Sequence, residues 1–131
     1  MPTSIENKSL TILLVDDVEE NRMVIRTFLK HSQHHVIESV NGAEAVEIFQ
    51  KTAIDLVLMD MLMPVMDGYH ATRAIREHEK TSNSPPVPII ALTAQALKED
   101  LKKTIDAGCD FHLTKPIRKA QLITAIKNFH H

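Results

Sequence analysis

Five residues of this chain have types suited to handling a negatively charged group: Asp16, Asp17, Asp60, Thr93 and Lys115. Each follows directly on a largely apolar run. Leu10 to Val15 ends in Asp16-Asp17, Leu56 to Met59 in Asp60, Ile89 to Leu92 in Thr93, and Phe111 to Thr114 in Lys115. Taken singly, an Asp after such a run is ordinary, because Asp favours turns and helix caps. Acids, a hydroxyl and an amine supplied by four such ends to one place call for a chemical reason. Carboxylates crowded where water is scarce repel one another. A divalent cation relieves that repulsion. Mg2+ suits the set, as a hard ion that takes one or two carboxylates and keeps positions for water and phosphate oxygens. The cation and the Lys115 ammonium would then neutralise a phosphoryl group arriving at an Asp60 oxygen, and the Thr93 hydroxyl would donate a hydrogen bond to it. Such a transfer needs positioning and charge neutralisation more than covalent work by the protein.

The elements that must position these residues can be read from periodicity. Leu56 to Met59 is wholly apolar, the pattern of a strand covered on both faces, and Met63-Pro64 and Asp67-Gly68 then break the chain into a loop. Leu10–Val15, Ile89–Leu92 and Phe111–Thr114 read as further strands, and Val36–Val40, more polar, as one near a sheet edge. Helices are expected over Glu19–Lys30, with Met23, Val24, Phe28 and Leu29 at core spacing, and over Ala43–Lys51, Tyr69–Lys80, Leu97–Ala107 and Arg118–Phe129. Glu19 and Glu20 suit the positive end of the first helix, and Gly108 suits the close of the fourth. Asn41-Gly42 and Asp67-Gly68 read as turns with no further part. Lys115-Pro116 is either a cis bond that aims the lysine inward or, as base rates favour, a plain trans Pro ending the strand. Five strands alternating with five helices call for an α/β fold, a doubly wound five-stranded parallel sheet with right-handed crossovers. Ligands bind such sheets at the carboxyl ends of the strands, where strand order reverses.

Composition removes several classes. The 131 residues fit one domain, expected over 10–129 between a frayed segment 1–9 and a tail 130–131. A net charge of -2 argues against a nucleic-acid surface, which needs clustered Lys and Arg. No apolar run approaches a membrane span, and no signal peptide precedes the first strand. Cys109 is the one cysteine, so no intrachain disulfide forms and a reducing cytoplasm is the expected compartment. His130-His131 is given no function.

Leu14-Val15-Asp16-Asp17, Met59-Asp60-Met61-Leu62-Met63-Pro64 with Met66-Asp67-Gly68, Ile90-Ala91-Leu92-Thr93-Ala94 and Thr114-Lys115-Pro116-Ile117 together resemble the motifs of response-regulator receiver domains, over Leu10 to Phe129. The resemblance implies a flavodoxin-like (βα)5 fold with strand order 2-1-3-4-5. It also implies that Asp60 is the phosphoacceptor, and that Asp17, Asp60 and the Leu62 backbone carbonyl ligate Mg2+ with Asp16 acting through water. Mn2+ would be able to stand in. Thr93 and Lys115 would contact the phosphoryl group, which would come from a phosphohistidine on a histidine kinase or histidine phosphotransfer protein. Asn21-Arg22 and Met66-Asp67-Gly68-Tyr69 resemble the receivers of hybrid kinases and phosphorelays. The output surface would be the fourth helix, fifth strand and fifth helix, through which a phosphorylated monomer could pair weakly. The small Ala94, Ala96, Leu97 and Ala107 around the fourth helix fit mobility, and fit ordinary packing better.

The chain departs from the family pattern where it has His112 in place of the Tyr or Phe that swings inward as the threonine moves. His112 either rests on the surface or serves as that rotating group. Leu62 and Gln95 lie two residues beyond Asp60 and Thr93, at positions that the resemblance implies flank the path of the hydrolytic water, where an apolar Leu62 would prolong the phosphorylated state. A haloacid-dehalogenase-type phosphatase also uses an Asp nucleophile, but needs a second Asp where this chain has Leu62. A flavin phosphate would be repelled by Asp16, Asp17, Glu19 and Glu20. A receiver serving only as a docking module would not need all five site residues. The expectation is a self-phosphorylating switch with slow dephosphorylation rather than a turnover enzyme, either free-standing or part of a hybrid kinase.

Overall fold

The computed structural model describes residues 9–94 and 97–129. The expected frayed segment, apart from Ser9, and the tail lie outside the described residues, as do Gln95 and Ala96. Strands and helices alternate strictly: β1 (Thr11–Val15), α1 (Glu19–Phe28), β2 (His35–Ser39), α2 (Gly42–Lys51), β3 (Leu56–Asp60), α3 (Gly68–Thr81), β4 (Ile89–Thr93), α4 (Lys98–Ala107), β5 (Phe111–Thr114) and α5 (Lys119–Phe129). All strands pair in parallel, in the order β2-β1-β3-β4-β5. This is the flavodoxin-like receiver fold expected from the sequence.

Both faces of the sheet are covered, which is why its central strands are apolar throughout. Ile12, Leu14, Leu58 and Leu92 point to one side, where they pack with Ile25 and Leu29 of the first helical segment and Leu122 and Ile126 of α5. Leu13, Val15, Val57 and Met59 point to the other and meet Ala45 of α2 and Ala71 and Ile75 of α3. Every residue of β3 and β4 is buried. β2 is only partly buried, as its polar pattern suggests for an edge.

The first helix corrects part of the sequence reading. Ile25 and Leu29 carry its buried stripe, with Phe28 half-buried, whereas Met23 and Val24 face solvent. Its regular turns also stop at Phe28 rather than Lys30. The two expected turns prove to be helix starts. The Asn41 side chain accepts from the Glu44 amide and the Asp67 side chain from the His70 amide, each satisfying a donor that an unfinished helix end leaves over. Gly108 closes α4 as expected, in the left-handed region at φ 113. Lys115-Pro116 is cis rather than trans. Val65 was not singled out by sequence, yet it has φ 72 in a three-residue turn in which the Met66 amide donates to Pro64 O at 2.8 Å.

Gly68 ties this loop to the sheet. Its amide donates to Met61 O at 3.0 Å, and a Cβ at this position would press on the Asp60 carbonyl oxygen and the Met61 backbone. Alanine ordinarily favours a helix over glycine by about 1 kcal/mol. Here Gly68→Ala is expected to destabilise by about 2 kcal/mol through overpacking, read by urea denaturation. A variant as stable as wild type would show that the loop yields.

Candidate functional site

The parallel sheet brings the carboxyl ends of β1, β3, β4 and β5 to one rim, and with them every residue singled out for chemistry. One carboxylate oxygen from each of Asp16, Asp17 and Asp60 can be chosen so that all three lie within 4.8 Å of one another. Asp16 is fully buried, Asp60 is 5% exposed and Asp17 faces solvent. Lys115 Nζ lies 3.2 Å from both Asp16 Oδ2 and Asp60 Oδ1 and so bridges them. Thr93 stands at the end of β4, one residue beyond Leu92, the partner of Asp60 in the sheet register. Among the described residues, its Oγ1 is the one buried side-chain polar atom without a hydrogen-bond partner. An orphaned buried hydroxyl costs stability and commonly marks a functional position.

Asp16 is the most constrained of the acids. Its Oδ1 accepts from the Val18 amide at 2.9 Å and from Asn21 Nδ2 at 3.4 Å, its amide donates to Ser39 O, and its carbonyl accepts from Arg22 Nη1 at 2.8 Å. Asp60 accepts only weakly from its own loop, from the Leu62 amide at 3.4 Å. Leu62 itself is 67% exposed at the mouth, beside a cavity of about 220 Å³ that Thr93, Ala94, Tyr69 and Asp100 also line. His112 is half-buried on the β5 surface with its ring centroid 5.7 Å from that of Phe111. It faces the groove between β5 and α5, with Gln121 and Thr124 across from it. In the sequence, Arg22, Asp67 and Gly68 stand out only as motif residues of the family resemblance; what they do lies in bonds and close contacts to backbone atoms.

The electrostatics show what the rim lacks. Burial pushes the Asp60 carboxyl up to about 6, the Asp16 charge pushes the same way, and Lys115 opposes both. One ammonium between two carboxylates, with a third close by, leaves a deficit of positive charge. The donors are all hard oxygens, half-open to water at Asp17, and so fit Mg2+. Asp16, Asp17 and Asp60 are the side chains that would hold it. A raised native pKa means that folding favours the protonated acid. That contribution is fully present below about pH 4 and is lost as pH rises through about 6. In the absence of divalent ions, Asp60→Asn should therefore be more stable than wild type at pH 7 by about 1–3 kcal/mol, with the two converging below pH 4. Urea denaturation in chelator checks this, and an Asp60→Asn protein less stable at pH 7 would contradict it.

Comparison with known proteins agrees with this geometry. The sequence model for the "Response regulator receiver domain" family matches residues 12–127. The sensor protein GacS of Pseudomonas syringae pv. syringae is 38% identical over 122 residues, covering 93% of this chain but only 14% of GacS. The Ssk1 receiver of Saccharomyces cerevisiae, co-crystallised with the histidine phosphotransfer protein Ypd1, superposes with a TM-score of 0.89 at 31% identity, covering 93% of this chain and 89% of that one. The receiver of the Pseudomonas aeruginosa sensor histidine kinase PA1611, which holds a magnesium ion in its active-site cleft, gives 0.83 at 38% identity, covering 93% and 98%. No helix among the described residues is long and apolar enough to cross a membrane. A family match across nearly the whole sheet and its helices, on a chain whose acids and lysine converge at one rim, leaves one conclusion: this chain belongs to the response-regulator receiver domains.

Proposed function

We propose that residues 10–129 form a phosphoacceptor switch in which Asp60 receives a phosphoryl group from a phosphohistidine. The observation that carries this reading is the Lys115 ammonium held 3.2 Å from Asp16 and Asp60, beside the unpartnered Thr93 hydroxyl. An Asp60 oxygen attacks phosphorus in line with the departing imidazole nitrogen. Lys115 neutralises charge on the phosphoryl oxygens, and Thr93 donates its free hydroxyl to one of them. Asp16 holds Lys115 in place. Asp17, Asp60 and the Leu62 carbonyl would hold Mg2+, with Asp16 acting through water, as the family resemblance implies. When bound, the ion supplies the positive charge that the acids and the phosphoryl oxygens lack.

The partner is a histidine kinase or a histidine phosphotransfer protein, as the resemblance to GacS and to the Ypd1-bound Ssk1 receiver supports. The chain acts in the cytoplasm, free-standing or as part of a hybrid kinase. It is a switch with slow self-dephosphorylation rather than a turnover enzyme, because the acceptor is its own side chain. The signal leaves through the α4-β5-α5 face. His112 lies half-buried on that face and is read here as the group that turns inward when Thr93 engages the phosphoryl group.

Acetyl phosphate and Mg2+ should add one phosphoryl mass to wild type and none to Asp60→Asn, with chelator abolishing the gain. Labelling of Asp60→Asn would overturn the assignment. The label should decay several-fold faster in Leu62→Asn, since a polar side chain at the mouth admits water. Beryllofluoride should move the His112 imidazole signals in an NMR spectrum; unchanged signals and titration would return His112 to a plain surface role.

A further inference from the structure

Asp17 is the weakest-held member of the acidic set. Its carboxylate faces solvent and takes part in no hydrogen bond or ion pair within the described residues. With no such partner, its placement depends on the backbone of the turn between β1 and α1. The peptide unit that enters Asp17 is planar, and its oxygen is the Asp16 carbonyl. That oxygen accepts from Arg22 Nη1 at 2.8 Å. A guanidinium thus grips one end of the rigid plane whose other end carries Asp17.

Arg22 is itself held on all sides. Nε donates to Glu38 Oε1 of β2 at 3.0 Å and Nη2 to Glu19 Oε1 at 2.5 Å, so its three nitrogens reach the turn, the edge strand and the helix start. Its side chain is 12% exposed. Arg26 braces the same two acids from outside, binding both Glu38 oxygens at 2.8 Å and Glu19 at 3.1 Å without touching the turn. Lysine carries its three donors on one nitrogen and cannot reach the three separate positions that Nε, Nη1 and Nη2 span.

We propose that Arg22 is a positioning residue of the metal site, fixing the Asp16–Asp17 peptide plane so that the Asp17 carboxylate is aimed at the cation. This rests on the metal-assisted reading of the site given above. Arg22 makes no bond to the carboxylates of Asp16, Asp17 or Asp60 and acts through the peptide plane alone. Charge and positioning predict opposite signs here. A buried cation close to the acids disfavours another cation, so its removal would tighten Mg2+ binding on charge alone. Loss of the grip on the peptide plane would weaken it, and partners behind metal ligands commonly govern about tenfold or more in affinity.

The test is calorimetric titration of Mg2+ into the full, metal-free chain as wild type, Arg22→Lys, Arg22→Met and Arg26→Gln. The expected result is a Kd raised about tenfold in both Arg22 variants and changed by less than about twofold in Arg26→Gln. In metal-free NMR, the Val18 amide, which donates to Asp16, should exchange faster in both Arg22 variants. If Arg22→Met does not fold, Arg22→Lys decides, since it keeps the charge. Unaltered or tighter binding in Arg22→Lys, or equal weakening in Arg26→Gln, overturns the inference. Wild type that binds no Mg2+ overturns the site reading and the inference with it. Wild type that binds Mg2+ but is not phosphorylated overturns the function alone.

Discussion

The structure is governed by the crowding of two buried carboxylates that the fold does not allow to separate, with a third at the same rim. Asp16 and Asp60 are buried at the ends of adjacent parallel strands, and Asp17 follows in the same turn. Lys115, brought from β5 on the far side of β4, is the one ammonium between them. A lysine shared by two acids, with a third beside them, cannot balance the charge. The imbalance makes the rim receptive to a divalent ion and, with that ion, to a phosphoryl group. Burial raises the cost of leaving the charges unpaired and the strength of any pairing that forms.

The rest of the chain serves to make that crowding unavoidable. A parallel sheet covered on both faces directs all its carboxyl ends to one edge, so the site forms once the core packs. The loop beyond β3 is fixed by close approach, by backbone bonds and by one capping side chain. Gly68 lies against the Asp60 carbonyl, Asp67 caps α3, and Val65 accepts a left-handed turn at φ 72 that costs a β-branched residue about 1–3 kcal/mol. On the other side of the rim, Arg22 closes the turn after β1 onto the edge strand. α4 is anchored at its end, where Arg76 of α3 donates to Gly108 O at 3.0 Å and to Asp110 Oδ2 at 2.9 Å. Its start at Leu97 has no side-chain cap and is exposed.

Much of this was legible in the sequence because two strong signals coincide. Apolar runs with no polar alternation mark strands covered on both faces, and the polar residues that end them mark the rim. The sequence alone therefore sets Asp16, Asp17, Asp60, Thr93 and Lys115 at one rim. What stayed hidden follows a physical pattern too. Met23 and Val24 are apolar but face solvent, since a helix on a sheet buries only the stripe that Ile25 and Leu29 occupy. Asn41-Gly42 and Asp67-Gly68 carry the residue types of both turns and caps, and only the following amides distinguish the two. The cis form of Lys115-Pro116 is one that the X–Pro pair allows but base rates disfavour. Arg22 and Gly68 act on backbone atoms, which residue types do not display.

The rim is short of positive charge, and a specifically bound divalent ion would supply it. Thermal unfolding of wild type and Asp17→Asn, in Mg2+ against NaCl at matched ionic strength, tests this most directly. The account predicts a midpoint that climbs steadily with the logarithm of Mg2+ concentration in wild type, as mass action requires of a ligand bound only to the folded state. The climb should be much reduced in Asp17→Asn and absent in NaCl. A midpoint indifferent to Mg2+, or raised equally by the two salts, would contradict it.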